Sequence, residues 1–209
     1  GRRLAATVLV DDGGQGGEEE KRSDILLFSV HQEPKRALQN ERFEGKALAS
    51  NGTVFMQKGG KTVLRHLDGS FRRDLDFAGD PPRSVVFSRR GNRLVTWNGL
   101  RVDFRDIGSK TSPRTLLNDG FRWRKTQKDL RRAMAISSDG HLLAVEHPDG
   151  IVLLDLSVDP SMKSILDLDS SEPGQKIQKL ALSPDGRFLS IWQKNEIFWK
   201  DLDSSSSFQ

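Results

Sequence analysis

Short apolar runs alternate with polar segments along the chain, and one phrase recurs five times: an apolar strand, a small polar turn ending in Gly, then a second apolar strand. The clearest copies are Leu180-Ala181-Leu182-Ser183-Pro184-Asp185-Gly186-Arg187-Phe188-Leu189-Ser190 and Met134-Ala135-Ile136-Ser137-Ser138-Asp139-Gly140-His141-Leu142-Leu143-Ala144. A third is Val85-Val86-Phe87-Ser88-Arg89-Arg90-Gly91-Asn92-Arg93-Leu94-Val95, a looser fourth is Ala47-Leu48-Ala49-Ser50-Asn51-Gly52-Thr53-Val54-Phe55, and a fifth begins part-way through, at Gly1-Arg2-Arg3-Leu4-Ala5-Ala6. Ser and Asp side chains can close local hydrogen bonds to the backbone, Pro presets φ, and Gly accepts the positive φ of a tight turn. The phrase predicts a β-hairpin.

After each hairpin the pattern predicts a third strand, at Asp24–Ser29, Thr62–Leu67, Arg101–Ile107, Ile151–Leu156 and Glu196–Leu202, with a fourth, outer strand at Phe71–Phe77 and Met162–Leu168. The turn Gly falls at 1, 52, 91, 140 and 186, giving spacings of 51, 39, 49 and 46. That period, and inner strands apolar on both faces, fit four-stranded sheets stacked face to face as blades of a β-propeller. The expected fold is all-β: a single propeller segment over 1–209 with about five four-stranded blades, some incomplete, at 1–41, 42–80, 81–130, 131–175 and 176–203, and a polar tail at 204–209. The chain opens at a second strand, ends after a third and starts without Met, so it is expected to be part of a larger propeller.

The Ser-Pro-Asp-Gly turn at 183–186, its variants, and Asp106, Asp155 and Asp201 closing the third strands resemble the WD-repeat family over nearly the whole chain. The residue before each Asp is Arg105, Leu154 or Lys200 rather than Trp, and no Gly-His pair precedes the inner strands. Propellers of the TolB and lactonase types share the Pro-Asp-Gly turn. The resemblance implies a scaffold that binds other macromolecules.

Hydrophobic residues make up 35% of the 209 and charged residues 30%, a balance that supports folding rather than wholesale disorder. No apolar stretch approaches the roughly 18 residues of a membrane span. Cysteine is absent, excluding disulfide staples and thiolate zinc sites. The expected compartment is the cytoplasm, with no membrane partner. Residues 83–132 hold fourteen Lys or Arg against four Asp, a net of +10 in a chain whose total is +4. Clustered cations raise local potential and steer acidic partners.

Two sets of partner-binding residues are expected there and around the blades. Arg122, Trp123, Arg124 and Lys125 interleave a ring with cations, as an anion-binding or base-stacking loop does. Lys46, Arg83, Arg132 and Lys179 each fall just before a predicted inner strand, so radial repetition would gather them into a cationic ring at the channel mouth. The loop Asp11–Asp24 reads as a hydrated hairpin tip, since its carboxylates lack the spacing of a calcium loop. Trp97, Trp192, Phe198 and Trp199 read as packing between blades.

Catalysis finds little support: His31, His66, His141 and His147 are scattered, and there is no Gly-x-Ser-x-Gly elbow. No catalytic residue, metal site or cofactor is expected. The sequence predicts a protein-interaction scaffold or sensor module of a larger multidomain protein, taking an acidic or phosphorylated partner segment. The alternatives are a nucleic-acid-binding propeller using the basic 83–132 sector and a propeller hydrolase or lactonase with channel residues.

Overall fold

The computed structural model describes residues 3–10, 22–29, 32–36, 44–58, 61–66, 70–77, 80–109, 112–118, 132–147, 150–157, 162–166, 177–193 and 195–204. The described elements are all strands and divide into two compact units, Gly1–Pro81 and Pro82–Gln209. The division falls between the second and third expected blades.

In the first unit, β1 (Arg3–Val10), β2 (Arg22–Ser29) and β3 (Gln32–Arg36) form a three-stranded antiparallel meander. β4 (Glu44–Leu48), β5 (Thr53–Lys58), β6 (Lys61–His66) and β7 (Arg72–Leu75) form a four-stranded one. Arg22, Ser23 and Asp24, expected at a hairpin tip, are already in β2, and Val10 pairs with Arg22. The rest of that tip lies outside the described residues.

The second unit holds three sheets. Two have four strands: β8 (Ser84–Phe87), β9 (Arg93–Trp97), β10 (Arg101–Asp106) and β11 (Arg114–Asn118); then β12 (Met134–Ile136), β13 (Leu142–His147), β14 (Gly150–Asp155) and β15 (Met162–Leu166). The last has β16 (Ile177–Leu182), β17 (Phe188–Gln193) and β18 (Glu196–Asp201). The innermost strands β8, β12 and β16 are neighbours in turn, so the three sheets stack in chain order.

The recurring turn is built as its residues dictate. Gly91, Gly140 and Gly186 sit at φ of 68°, 79° and 76°, and each donates its amide to the carbonyl of the Ser three residues earlier at 2.9 Å. The Ser hydroxyl accepts the amide five residues on, from Arg93, Leu142 and Phe188 at 3.2, 3.0 and 2.8 Å. In the two Asp-Gly turns that hydroxyl also donates to the Asp carboxylate, which accepts the amide of His141 or Arg187 in turn. These bonds hold Asp139, chiefly through the His141 amide, and Asp185, chiefly through the Ser183 hydroxyl, below the ordinary carboxylate range. In the second unit the acidic residue ending each third strand makes a local cap: Asp106, Asp155 and Asp201 accept the amides of Gly108, Ser157 and Asp203 at 3.0, 2.9 and 3.0 Å.

Period-2 alternation sends opposite faces of each sheet to opposite neighbours. Between the β8–β11 and β12–β15 sheets lie Val95, Trp97, Val102, Met134, Leu143, Val145, Val152 and Leu154, all buried. Between the β12–β15 and β16–β18 sheets lie Ala135, Ala144, Ile151, Leu153, Ile177, Leu180, Leu189 and Ile191. Each fully buried Val, Leu or Ile contributes roughly 1.5–3 kcal/mol. Trp97 and, in part, Phe198 thus pack between sheets as expected; Trp192 and Trp199 do not, and face solvent among the described residues.

Candidate functional site

Arg83 and Arg132 occupy the same place in successive repeats, five residues before Ser88 and Ser137, and the second unit brings them to one end of the β8–β11 sheet. The Arg83 amide donates to the Trp97 carbonyl at 2.7 Å, fixing the start of β8 against the end of β9. The Arg132 amide donates to the hydroxyl of Ser84, the next residue after Arg83, at 2.9 Å. One serine therefore ties the two basic positions together across the gap between sheets.

Their side chains have different fates. Arg132 is only 3% exposed, with its guanidinium carbon 5.4 Å from the centre of the Trp97 ring. Such a shielded cation–π contact is worth about 2 kcal/mol, so Arg132 serves the junction rather than an open mouth. Arg83 is exposed, and its guanidinium passes 3.4 Å from where a β-carbon would stand on Gly99. Gly99 has φ of 108°, so glycine meets both the turn and the approach of Arg83.

Three neighbours that the sequence reading missed complete this end of the sheet. Asn98 accepts the amides of Leu100 and Arg101 at 3.0 Å each, a tight Asx turn. Leu100 is thereby held out at 60% exposure. Arg101 is half-buried and donates to Asp103 at 2.8 Å, while Asp103, buried, also accepts from the Thr115 hydroxyl at 2.7 Å. The Asn-Gly pair before a strand was the available signal for an ordered tip.

Arg122, Trp123, Arg124 and Lys125 lie outside the described residues. The described residues that flank their segment both reach this same end: Asn118 pairs with Arg101, and Arg132 binds Ser84.

Lys46 and Lys179 sit differently in their repeats. Both lie inside strands, β4 and β16, rather than ahead of them. Each sits at a register shift, between Gly45 and Ala47 and between Ile177 and Lys179. Lys46 belongs to the first unit. Lys179 falls four residues before its turn Ser instead of five, and a one-residue slip puts a side chain on the other face: it lies in register with Trp192, exposed on the outer face of the last sheet.

Among the described residues no group of His, Asp and Glu is arranged to hold a metal ion. His66 bonds the Asn51 carbonyl, and His141 lies 3.3 Å from the Arg93 guanidinium. Both positions serve turns and junctions.

No family model matches the sequence, and no curated protein does. Solved structures do match: a chain from the crystal structure of a nidogen/laminin complex superposes with a TM-score of 0.53 at 19% identity, over 87% of this chain and 68% of that one. At that identity the likeness speaks to fold alone. Together with the antiparallel sheets it gives the conclusion that this all-β chain has the fold of a partial β-propeller, its sheets being the blades.

Proposed function

We propose that this protein is a protein-interaction propeller that takes an acidic segment of a partner at the Arg83 end of the β8–β11 blade. The observation that carries the reading is the convergence there of exposed Arg83, exposed Leu100 and both flanks of the basic 119–131 segment. A cation beside an apolar tip on a rigid sheet offers a peptide one charge contact and one hydrophobic contact, with little ordering entropy to oppose binding. Phosphate or carboxylate on the partner would meet Arg83 as a charge-assisted pair. The solved relative with this fold comes from a complex of two proteins, which accords with a binding role rather than a catalytic one. The Ser-x-Asp-Gly turns and the Asp-capped third strands are what link this binding propeller to the WD-repeat type.

Fluorescence anisotropy tests it, with an oligoglutamate peptide, a phosphoserine-rich peptide and a random single-stranded oligonucleotide as probes. Binding of a peptide probe that Arg83→Glu weakens about 10-fold, and that Arg90→Glu at the far end of the blade leaves within about 2-fold, is the expected result. Preference for the oligonucleotide with a steep salt dependence would replace this reading with a nucleic-acid one. Indifference of every probe to Arg83 would remove the site.

A further inference from the structure

Two of the eight prolines follow a serine, at Ser112-Pro113 and Ser183-Pro184, and the fold treats the two pairs in opposite ways. Proline fixes its own φ and pushes the residue before it toward an extended backbone, the shape in which a serine is offered to a modifying enzyme. Ser183 is fully engaged in its turn. Its amide donates to the Phe188 carbonyl at 2.8 Å and its carbonyl accepts the Gly186 amide at 2.9 Å. Its hydroxyl donates to Asp185 and accepts the Phe188 amide.

Ser112 is in the reverse condition. It is exposed, it stands ahead of β11 and outside the ladder, and its hydroxyl meets no hydrogen-bond partner among the described residues. β11 is the edge of its sheet and pairs on one side only, with β10, so the segment that Ser112 opens keeps a flank clear. A protein kinase needs a hydroxyl of this kind, free to give its proton to the catalytic carboxylate while its oxygen takes a phosphoryl group.

The residue two places on separates the pairs again. In an extended chain such residues share a face, and Ser183 has Asp185 there, whereas Ser112 has Arg114. Arg114 is exposed, with its guanidinium carbon 5.3 Å from the centre of the Phe104 ring. The second cation on that ring, Arg93, is already bonded to the Gly140 carbonyl, and the carboxylate at this end of the sheet, Asp106, is bonded to the Gly108 amide. Arg114 is therefore the cation left to meet a phosphate.

We propose that Ser112 is a phosphorylation site for a proline-directed serine/threonine kinase and that Arg114 holds the phosphate. The Ser112 Oγ bonds to the γ-phosphorus of ATP, the bond from that phosphorus to the β,γ-bridging oxygen breaks, ADP leaves, and the hydroxyl proton passes to the kinase's carboxylate. The product carries roughly −1.5 to −2 of new charge into a sector whose net is +10. The site lies at the Phe104–Arg114 end of the β10–β11 pair, away from the Arg101–Asn118 end beside Arg83, and is independent of the Arg83 reading.

The folded chain is incubated with a proline-directed kinase and ATP, and phosphopeptides are quantified by mass spectrometry. The expected result is phosphate on Ser112 at a rate at least 10-fold above that on Ser183, and a fall of 10-fold or more at Ser112 with Pro113→Ala. An unmodified Ser112, equal rates at the two serines, or indifference to Pro113 overturns the site. Phosphorus NMR of the phosphorylated chain reads the second part: the second ionisation of the phosphate should lie below its ordinary value of about 6 and return to it with Arg114→Gln. The same value in both chains overturns the role of Arg114.

Discussion

The β8–β11 sheet and the β16–β18 sheet are built from the same phrase, with the same Ser-to-Gly turn, the same two strands after it and a tryptophan at the same place in each. In the first, Trp97 is sealed between sheets with Arg132 over its ring. In the second, Trp192 stands nearly half exposed beside Ile197 and Trp199. Sequence sets which face a residue takes; the neighbouring sheet decides whether that face is core. In a repeat protein the same side chain is therefore core in one sheet and surface in another, according to the sheet beside it.

The largest break in this comparison comes from the two tryptophans. Trp97→Ala should lower stability by about 3–5 kcal/mol, because it leaves a cavity between sheets and strips Arg132 of its ring, whereas Trp192→Ala should cost under about 1 kcal/mol. Urea unfolding followed by circular dichroism checks both.

The turn glycines come next. Gly140→Ala combines a positive φ with a clash against Arg93 Cδ and should cost about 2–3 kcal/mol, while Gly186→Ala, with ordinary contacts to Leu142 and Ser137, should cost about 1–2 kcal/mol. Thermal melts of the two variants measure the gap.

Ser137→Ala and Ser183→Ala remove the hydroxyl that receives the second-strand amide. Each should cost about 1 kcal/mol, more at Ser137, which is buried, than at the more open Ser183.

Acid gives the smallest effect. Asp139, Asp185 and Asp201 are held below the ordinary carboxylate range, Asp201 chiefly by the Arg187 guanidinium. Groups depressed on folding contribute stability that is full above their unfolded value and lost as pH falls through the folded one. Stability should therefore fall below about pH 4, and Asp139→Asn should flatten that acid limb in a pH series of melts.

Much of the fold was legible because the turn glycines and the apolar third strands are enforced locally. The third strands at 101–106, 150–155 and 196–201 lie within a residue of where the pattern puts them. The outer strands were harder. β3 is Gln32-Glu33-Pro34-Lys35-Arg36, which reads as loop, yet a sheet edge tolerates proline and charge because one side of the strand owes the sheet no hydrogen bond. β11 carries Arg114, Thr115 and Asn118 in five residues for the same reason.

The site was half legible. Arg83 and Arg132 share a repeat position that the sequence displays, but the burial of Arg132 depends on an indole from the adjacent sheet, which no local pattern encodes. Lys179 lies beside an irregularity in its strand, and a single residue of slip changes the face. Leu100 went unnoticed because a lone apolar residue after Asn98-Gly99 looks like any hairpin tip.

Residue-resolved hydroxyl-radical footprinting of the unmodified chain tests the contrast between the two sheets most directly. The account predicts oxidation of Trp192 and Trp199 about 10-fold or more faster than that of Trp97, in line with their difference in exposure. Comparable labelling of Trp97 and Trp192 would contradict it.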